Sequence, residues 1–331
     1  MKFIGNDSAI TDFKSGITPN EFDVLNDLIR QQVHYNGWFS ENMVRKSFAA
    51  LASLLEKEKL EKWSENYTFN KNPKTIAVIM AGNIPLVGFH DFLCVLLSGN
   101  RILCKLSSED KTLLPALSKI LIHLDSGFDE FISFSDKYIS NFDAVIATGS
   151  SSSLNHFEEY FSKYPHLFRD SRSSLAVISG NETEKELTEL GNDLFDYYGR
   201  GCRNISHMLL PIDFNLNRIF EAIIGYGEVV NNKKYGNNYD YNKSIYLLNL
   251  EKFLDNNFVL FKENAELFSP ISVVHYSYYS EKSEVTDFIE RFEGSIQCVV
   301  GYDFIPFGKS QTPSLTDYAD NIDTMRWLNE L

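Results

Sequence analysis

The segment TIAVIMAG, residues 75–82, is an unbroken apolar run rich in β-branched residues that ends on a glycine. A strand of that kind is buried on both faces, as in a parallel sheet, and a parallel neighbour is reached only by a crossover connection. The sequence supplies such connections. PLVGFHDFLCVLLSG (85–99) has helical composition, RILCK (101–105) reads as a strand, LLPALSKILIHL (113–124) as a helix and FDAVIATGS (142–150) as a strand. This βαβαβ order predicts a doubly wound α/β unit whose right-handed crossovers put helices on both faces. The loops at 81–85, 105–110 and 149–153 should gather at the carboxyl edge, where such sheets bind nucleotides.

A second alternating region begins at SSLAVISG (173–180). It continues through a helix in ETEKELTELGNDLFDYYG (182–199), a strand in SHMLLP (206–211), a helix near 218–224, and strands in SPISVVHY (269–276) and SIQCVVG (295–301). Residues 18–67 show helix-like apolar spacing. VVNNKKYGNNYDYN (229–242) reads as a surface excursion that buries little area, because Asn and Gly favour turns. The chain of 331 residues is long enough for two domains. The boundaries read from it are a helical region over 1–70, a nucleotide-binding domain over 71–173, a catalytic domain over 174–305, and a C-terminal segment over 306–331 that packs back on the first domain or on a second subunit.

A formal net charge of −14 argues against a nucleic-acid partner, which needs a basic face. The longest apolar run, 92–97, is far too short to span a bilayer. The amino terminus MKFIGNDSAITDF lacks the pattern of a signal or transit peptide, so a cytoplasmic location is expected. Four cysteines without paired spacing predict neither a disulfide framework nor a structural metal.

Cys94, Cys104 and Cys298 lie in apolar strings and read as small core residues. Cys202 differs. It stands in YYGRGCRNISH between a predicted helix and a strand, with Gly199 and Gly201 allowing close backbone approach and Arg200 and Arg203 nearby to favour the thiolate. A nucleophile and a buried structural thiol are both compatible with that setting. His207 is either an acid–base group or a packing residue of its strand. Lys105 ends a strand, where its ammonium either meets a ribose or phosphate or is simply solvated. The hydroxyls of TGSSSS (148–153) would bind phosphate or cap the following helix.

In this order the segments AGNIP, KLSSED, ATGSSSS, GRGC, ELFSPISVV and IPFG resemble the aldehyde dehydrogenase superfamily, and most closely its LuxC-type fatty acyl-CoA reductase branch, over residues 75–331. The resemblance implies an aldehyde dehydrogenase-like α/β fold, with a Rossmann-type doubly wound cofactor domain and an α/β catalytic domain. It also implies roles: Cys202 as nucleophile and Asn83 with the Cys202 backbone N–H as oxyanion hole. Lys105, with Ser107 and Ser108 of the same loop, would meet the cofactor ribose, and Gly149 and Ser150 its diphosphate. Glu266 and Phe268 would hold the second ribose and back the nicotinamide. The implied reaction is reduction of a fatty acyl-CoA to an aldehyde, with CoA as leaving group.

Two departures refine this. Hydrolytic members place a glutamate base where this chain has Val177, Ile178 and Ser179, so an acyl-thioester should persist for exchange with CoA rather than hydrolyse. Ser108 replaces the acidic residue that holds a 2′-hydroxyl, which favours NADPH, with NADH the alternative and Glu109 an opposing charge. Rival readings are a hydrolytic aldehyde dehydrogenase, an acyl-phosphate reductase, or a non-catalytic nucleotide- or acyl-binding partner. A homo-oligomer or an acyl-transfer partner protein fits each of them.

Overall fold

The computed structural model describes residues 16–331. The amino-terminal stretch read above for targeting lies outside the described residues. The chain forms two compact units, one made of the chain up to Ser171 together with Ser314–Leu331, the other of Arg172–Pro313.

The first unit opens with α1 (Pro19–Tyr35), α2 (Glu41–Leu54) and α3 (Lys57–Ser64). Thr18 and Glu21 close a capping box at the start of α1, with Pro19 at its first position, so the helix starts where its free N–H groups are satisfied. Then come β1 (Thr75–Ile79), α4 (Phe89–Leu97), β2 (Arg101–Lys105), α5 (Leu113–Leu124), β3 (Ile132–Phe134), β4 (Ala144–Thr148), α6 (Ser151–Phe161) and β5 (His166–Arg169). The strands lie in the order β3-β2-β1-β4-β5, every pair parallel. Strand order reverses between β1 and β4, the topological switch point of a doubly wound sheet. The helix expected from residue 85 begins only at Phe89, because Leu86 takes φ 59 and a right-handed helix cannot pass through that conformation.

The second unit contains β6 (Ser173–Val177), α7 (Glu184–Phe195), β7 (Ile205–Pro211), α8 (Asn217–Ala222), α9 (Lys233–Leu248), β8 (Leu254–Asp255), β9 (Leu260–Glu263), β10 (Val273–Tyr279), α10 (Lys282–Arg291) and β11 (Ile296–Gly301). Its sheet runs β11-β6-β7-β10-β9-β8, parallel except for the edge strand β8. The expected surface excursion over 229–242 is instead largely helix. Asn232 caps α9 by accepting from the Lys234 and Tyr235 amides, and Tyr235, Tyr239, Asn242 and Tyr246 bury one stripe of it. Those positions follow helical spacing, which overrides the turn preference of the intervening Asn and Gly.

The last helix, α11 (Thr324–Glu330), belongs to the first unit. There the buried Arg169 guanidinium donates to Asp91 at 2.7 Å, to Thr324 Oγ1 at 2.8 Å and to the Ala319 carbonyl at 2.9 Å. Trp63 Nε1 donates to the Tyr318 hydroxyl at 3.0 Å. Among the described residues no helix is long and apolar enough to cross a membrane, and no cluster of His, Cys, Asp and Glu could hold a metal ion.

Candidate active site

In the first unit, β2, β1 and β4 lie side by side and parallel, so the turns that follow them leave one edge of the sheet. Those turns bring Asn83, Lys105, Ser107, Ser108, Gly149 and Ser150 to that edge. The first two turns are in close contact. A Cβ on Gly82 would stand 2.6 Å from Ser107 Oγ, closer than any side chain tolerates. Ser107 Oγ also accepts the Glu109 N–H at 3.2 Å, and Ser108 and Glu109 are exposed. At the third turn Ser150 precedes α6 without bonding its backbone, its hydroxyl engaging Ser152 and Ser153 instead, at 2.9 and 3.1 Å. The Ser150 side chain therefore does not cap α6, an arrangement that fits a phosphate at a helix N-terminus.

In the second unit, Cys202 lies just before β7, and Glu266 and Phe268 lie between β9 and β10. β7 pairs with β10, so all three sit at the amino ends of neighbouring parallel strands. The chain enters the Cys202 segment through Tyr197 (φ 53), Tyr198 (φ 60) and Gly199 (φ 73). Only the glycine adopts a left-handed conformation freely. Each tyrosine there costs roughly 1–2 kcal/mol, held by the surrounding structure.

Asn204 does much of that holding. Its Nδ2 donates to the Asp193 and Asp196 carbonyls, at 3.0 and 2.9 Å, and its Oδ1 accepts the Gly201 N–H at 2.7 Å. One buried amide thus terminates α7 and sets the residue before the cysteine. Ser174 Oγ donates to the Cys202 carbonyl at 3.0 Å. Arg203 Nε donates to the Ser310 carbonyl at 2.6 Å, so this arginine is tied to the loop after β11. Neither Asn204 nor Ser174 was singled out in the sequence, where nothing distinguishes them from ordinary turn residues.

The ELFSP loop is fixed through its carbonyls. His207 Nδ1 and His275 Nδ1 each donate to the Glu266 carbonyl at 3.0 Å, and Ser206 Oγ donates to the Leu267 carbonyl at 2.6 Å. Since Nδ1 carries the proton, the other ring nitrogen of His207 accepts from Ser277 Oγ at 2.9 Å. Burial pushes the His207 pKa down to about 4. Of the two readings open for His207, its geometry is that of a neutral structural group. Phe268 is 47% exposed, and the Glu266 carboxylate lies 3.7 Å from Arg291.

Cys94, Cys104 and Cys298 are buried, whereas Cys202 is half-buried. Burial pushes the Cys94 and Cys104 thiols well above their ordinary range. Of Val177, Ile178 and Ser179, read above as standing where hydrolytic members have their base, Ile178 is fully buried. The acid that follows, Glu182, has its oxygens engaged by Ser179 N–H and Oγ–H and by Gly180 N–H, at 2.5, 2.7 and 3.0 Å. That carboxylate closes a turn.

Solved structures share this architecture. An NADP dependent enzyme of E. coli superposes with a TM-score of 0.64 at 11% identity, covering 86% of this chain and 70% of its own. The P. syringae indole-3-acetaldehyde dehydrogenase AldA, in complex with NAD+ and IAA, gives 0.60 at 11% identity, with 85% and 69% covered. An aldehyde dehydrogenase of Mycobacterium tuberculosis complexed with NAD+ gives 0.53 at 15%, with 83% and 66% covered. The fold is that of the aldehyde dehydrogenases. No curated protein matches the sequence. The profile of the acyl-CoA reductase (LuxC) family matches residues 41–213, and the chain belongs to that family. The matched span holds Asn83, Lys105, Ser107, Ser108, Gly149, Ser150 and Cys202, while Glu266 and Phe268 lie beyond it.

Proposed function

We propose that this protein reduces a fatty acyl-CoA to the aldehyde with NADPH, through an acyl-thioester on Cys202. The observation that carries this reading is the contrast among the thiols: three are buried, and Cys202 stands half-buried in a clamped segment behind Gly201. A nucleophile needs that combination of access and fixed position.

In the proposed reaction the Cys202 thiolate attacks the thioester carbonyl, and the oxyanion is stabilised by the Asn83 carboxamide and the Cys202 N–H. Collapse expels CoA as its thiolate and leaves the acyl group on sulfur. A reduced nicotinamide, when bound, would supply hydride to the acyl carbon. The same donors, Asn83 and the Cys202 N–H, would hold the resulting oxyanion, whose collapse breaks the C–S bond to give the aldehyde and return Cys202 as thiolate. Lys105, Ser107 and Ser108 are assigned to the ribose, Gly149 and Ser150 to the diphosphate, and Glu266 and Phe268 to the nicotinamide half. Ser108 in place of an acid supports NADPH, since a 2′-phosphate meets no carboxylate at that position. The commitment of Glu182 to its turn, with Ile178 buried beside it, leaves that segment without a carboxylate to activate water, which supports CoA rather than water as the exchange partner.

The test is NADPH oxidation with acyl-CoAs of graded chain length, with the aldehyde trapped, in wild type and Cys202→Ala. Aldehyde formation lost in the variant is expected. Turnover that survives Cys202→Ala would remove the nucleophile, and aldehyde formed from an acyl phosphate but from no acyl-CoA would change the substrate class. Asn83→Ala should slow turnover by about 2.7–4 kcal/mol in barrier while binding is kept.

A further inference from the structure

Asp110 ends the turn that follows β2, and its side chain reaches the turn that follows β1. The residue is buried, and its Oδ2 accepts the Leu86 N–H at 2.8 Å. Its other oxygen is buried with no hydrogen-bond partner among the described residues. The Asp110 N–H donates to the Ser107 carbonyl at 3.2 Å, so one residue closes the Ser107–Ser108 turn and grips the Asn83 turn.

Leu86 is the place where a grip is needed. At φ 59 it holds a conformation unfavourable for a leucine, and this kink turns the chain from the Asn83 loop into α4. Ser47 Oγ holds the preceding carbonyl, that of Pro85, at 2.8 Å. Ser107 abuts Gly82 on the far side of Asn83. Asn83 is therefore bracketed by groups whose positions are set from other elements, and the Asp110–Leu86 bond is the one made by a buried ionisable group. A half-satisfied buried carboxyl is costly, and an apolar side chain would fill the same space more cheaply, which points to the Leu86 bond as the reason for an acid. Burial pushes the Asp110 pKa up to about 6, against the pull of the Leu86 and Leu113 amides.

We propose that Asp110 is a positioning residue, which sets the Asn83 carboxamide for the oxyanion by anchoring Leu86. This rests on the function proposed above. The test has two readouts: hydrogen exchange of the 81–88 peptide, and a double-mutant cycle of Asp110→Ala with Asn83→Ala followed by acyl-CoA reduction. Asp110→Ala should speed exchange of the Leu86 amide about tenfold or more and lower kcat about tenfold, with KM for acyl-CoA within about twofold. The double variant should be no slower than Asn83→Ala alone, because Asp110 acts through Asn83. Asp110→Asn, which keeps an oxygen for Leu86, should restore most of kcat. Asp110→Val fills the space without an acceptor and takes the place of the alanine variant if that one does not fold. Unaltered exchange overturns the proposal, and so do rate losses that multiply in the double variant. If wild type reduces no acyl-CoA while exchange responds as stated, the reading of function fails and the Leu86 anchor stands. If exchange does not respond, the anchor fails whatever the activity.

Discussion

Asp193 Oδ1 accepts the Ser310 backbone N–H at 2.9 Å across 117 residues of chain, and Oδ2 accepts the Gly308 N–H at 2.6 Å. Burial raises the pKa of this carboxyl, and the Ser310 and Gly308 donors pull it back. Because Arg203 in turn donates to the Ser310 carbonyl, the loop after β11 and the Cys202 segment are joined at both ends of one residue. Asp193→Ala should strip two donors of their acceptor, at roughly 1–3 kcal/mol each. Chemical denaturation should show that loss, with a smaller one for Asp193→Asn, and alkylation of Cys202 in the folded variant should change in rate.

Thiol chemistry separates Cys202 from the rest of the chain. With iodoacetamide under native conditions, mass spectrometry should find Cys202 modified and Cys94, Cys104 and Cys298 unmodified, since these three are buried and two have raised pKa values. Prior incubation with acyl-CoA should protect Cys202. Labelling of Cys298 at a comparable rate would contradict this assignment.

His207 makes stability depend on acid. Its folded pKa is about 4 against the ordinary histidine value of 6.5, so between these values the unfolded chain binds the proton that the folded chain refuses. Stability therefore rises with pH through that window and is lost as pH falls through it, by roughly 3 kcal/mol from this group. His207→Gln should flatten the pH dependence of the unfolding free energy between about pH 4 and 6.5. Turnover near neutral pH should keep its profile in this variant.

Gly82→Ala should damage the edge of the first unit's sheet where the turns after β1 and β2 meet. The added methyl would meet Ser107 Oγ at 2.6 Å and Ser107 Cβ at 2.7 Å, and the β-carbon cannot rotate away. Forcing the two turns apart should cost about 1–3 kcal/mol of stability and raise the NADPH dissociation constant, read by fluorescence titration. Gly82→Ala combined with Ser107→Gly relieves the clash and should recover much of the lost stability, while affinity stays low without the Ser107 hydroxyl.

Apolar runs made the two alternating regions legible, because a strand buried on both faces has no other composition open to it. β3, β5, β8 and β9 are at most four residues each, too short for any period to register. α9 was hidden because its asparagines and glycine read as turn formers while its buried stripe is made of tyrosine and asparagine. Cys202 stood out through its glycines and charged neighbours. The groups that hold it, Asn204, Asp193 and Ser174, did not, since they bond mainly backbone atoms and three of their partners, Cys298, Gly308 and Ser310, lie more than a hundred residues away in sequence. Asp110 likewise looked like the end of a polar turn, and only the fold discloses its reach to Leu86.

Chain synthesis runs through the two units in an unequal way. The second is one continuous stretch, whereas the first is split: it is begun before the second and receives residues 314–331 after it. Until those residues dock, Arg169 is short of the Ala319 and Thr324 oxygens and Trp63 of the Tyr318 hydroxyl. A nascent chain can therefore complete the thiol-bearing unit from neighbouring sequence alone, while the first unit waits for residues added after it, and a ribosome that stops short of residue 314 leaves the first unit, not the second, open to chaperones and proteases.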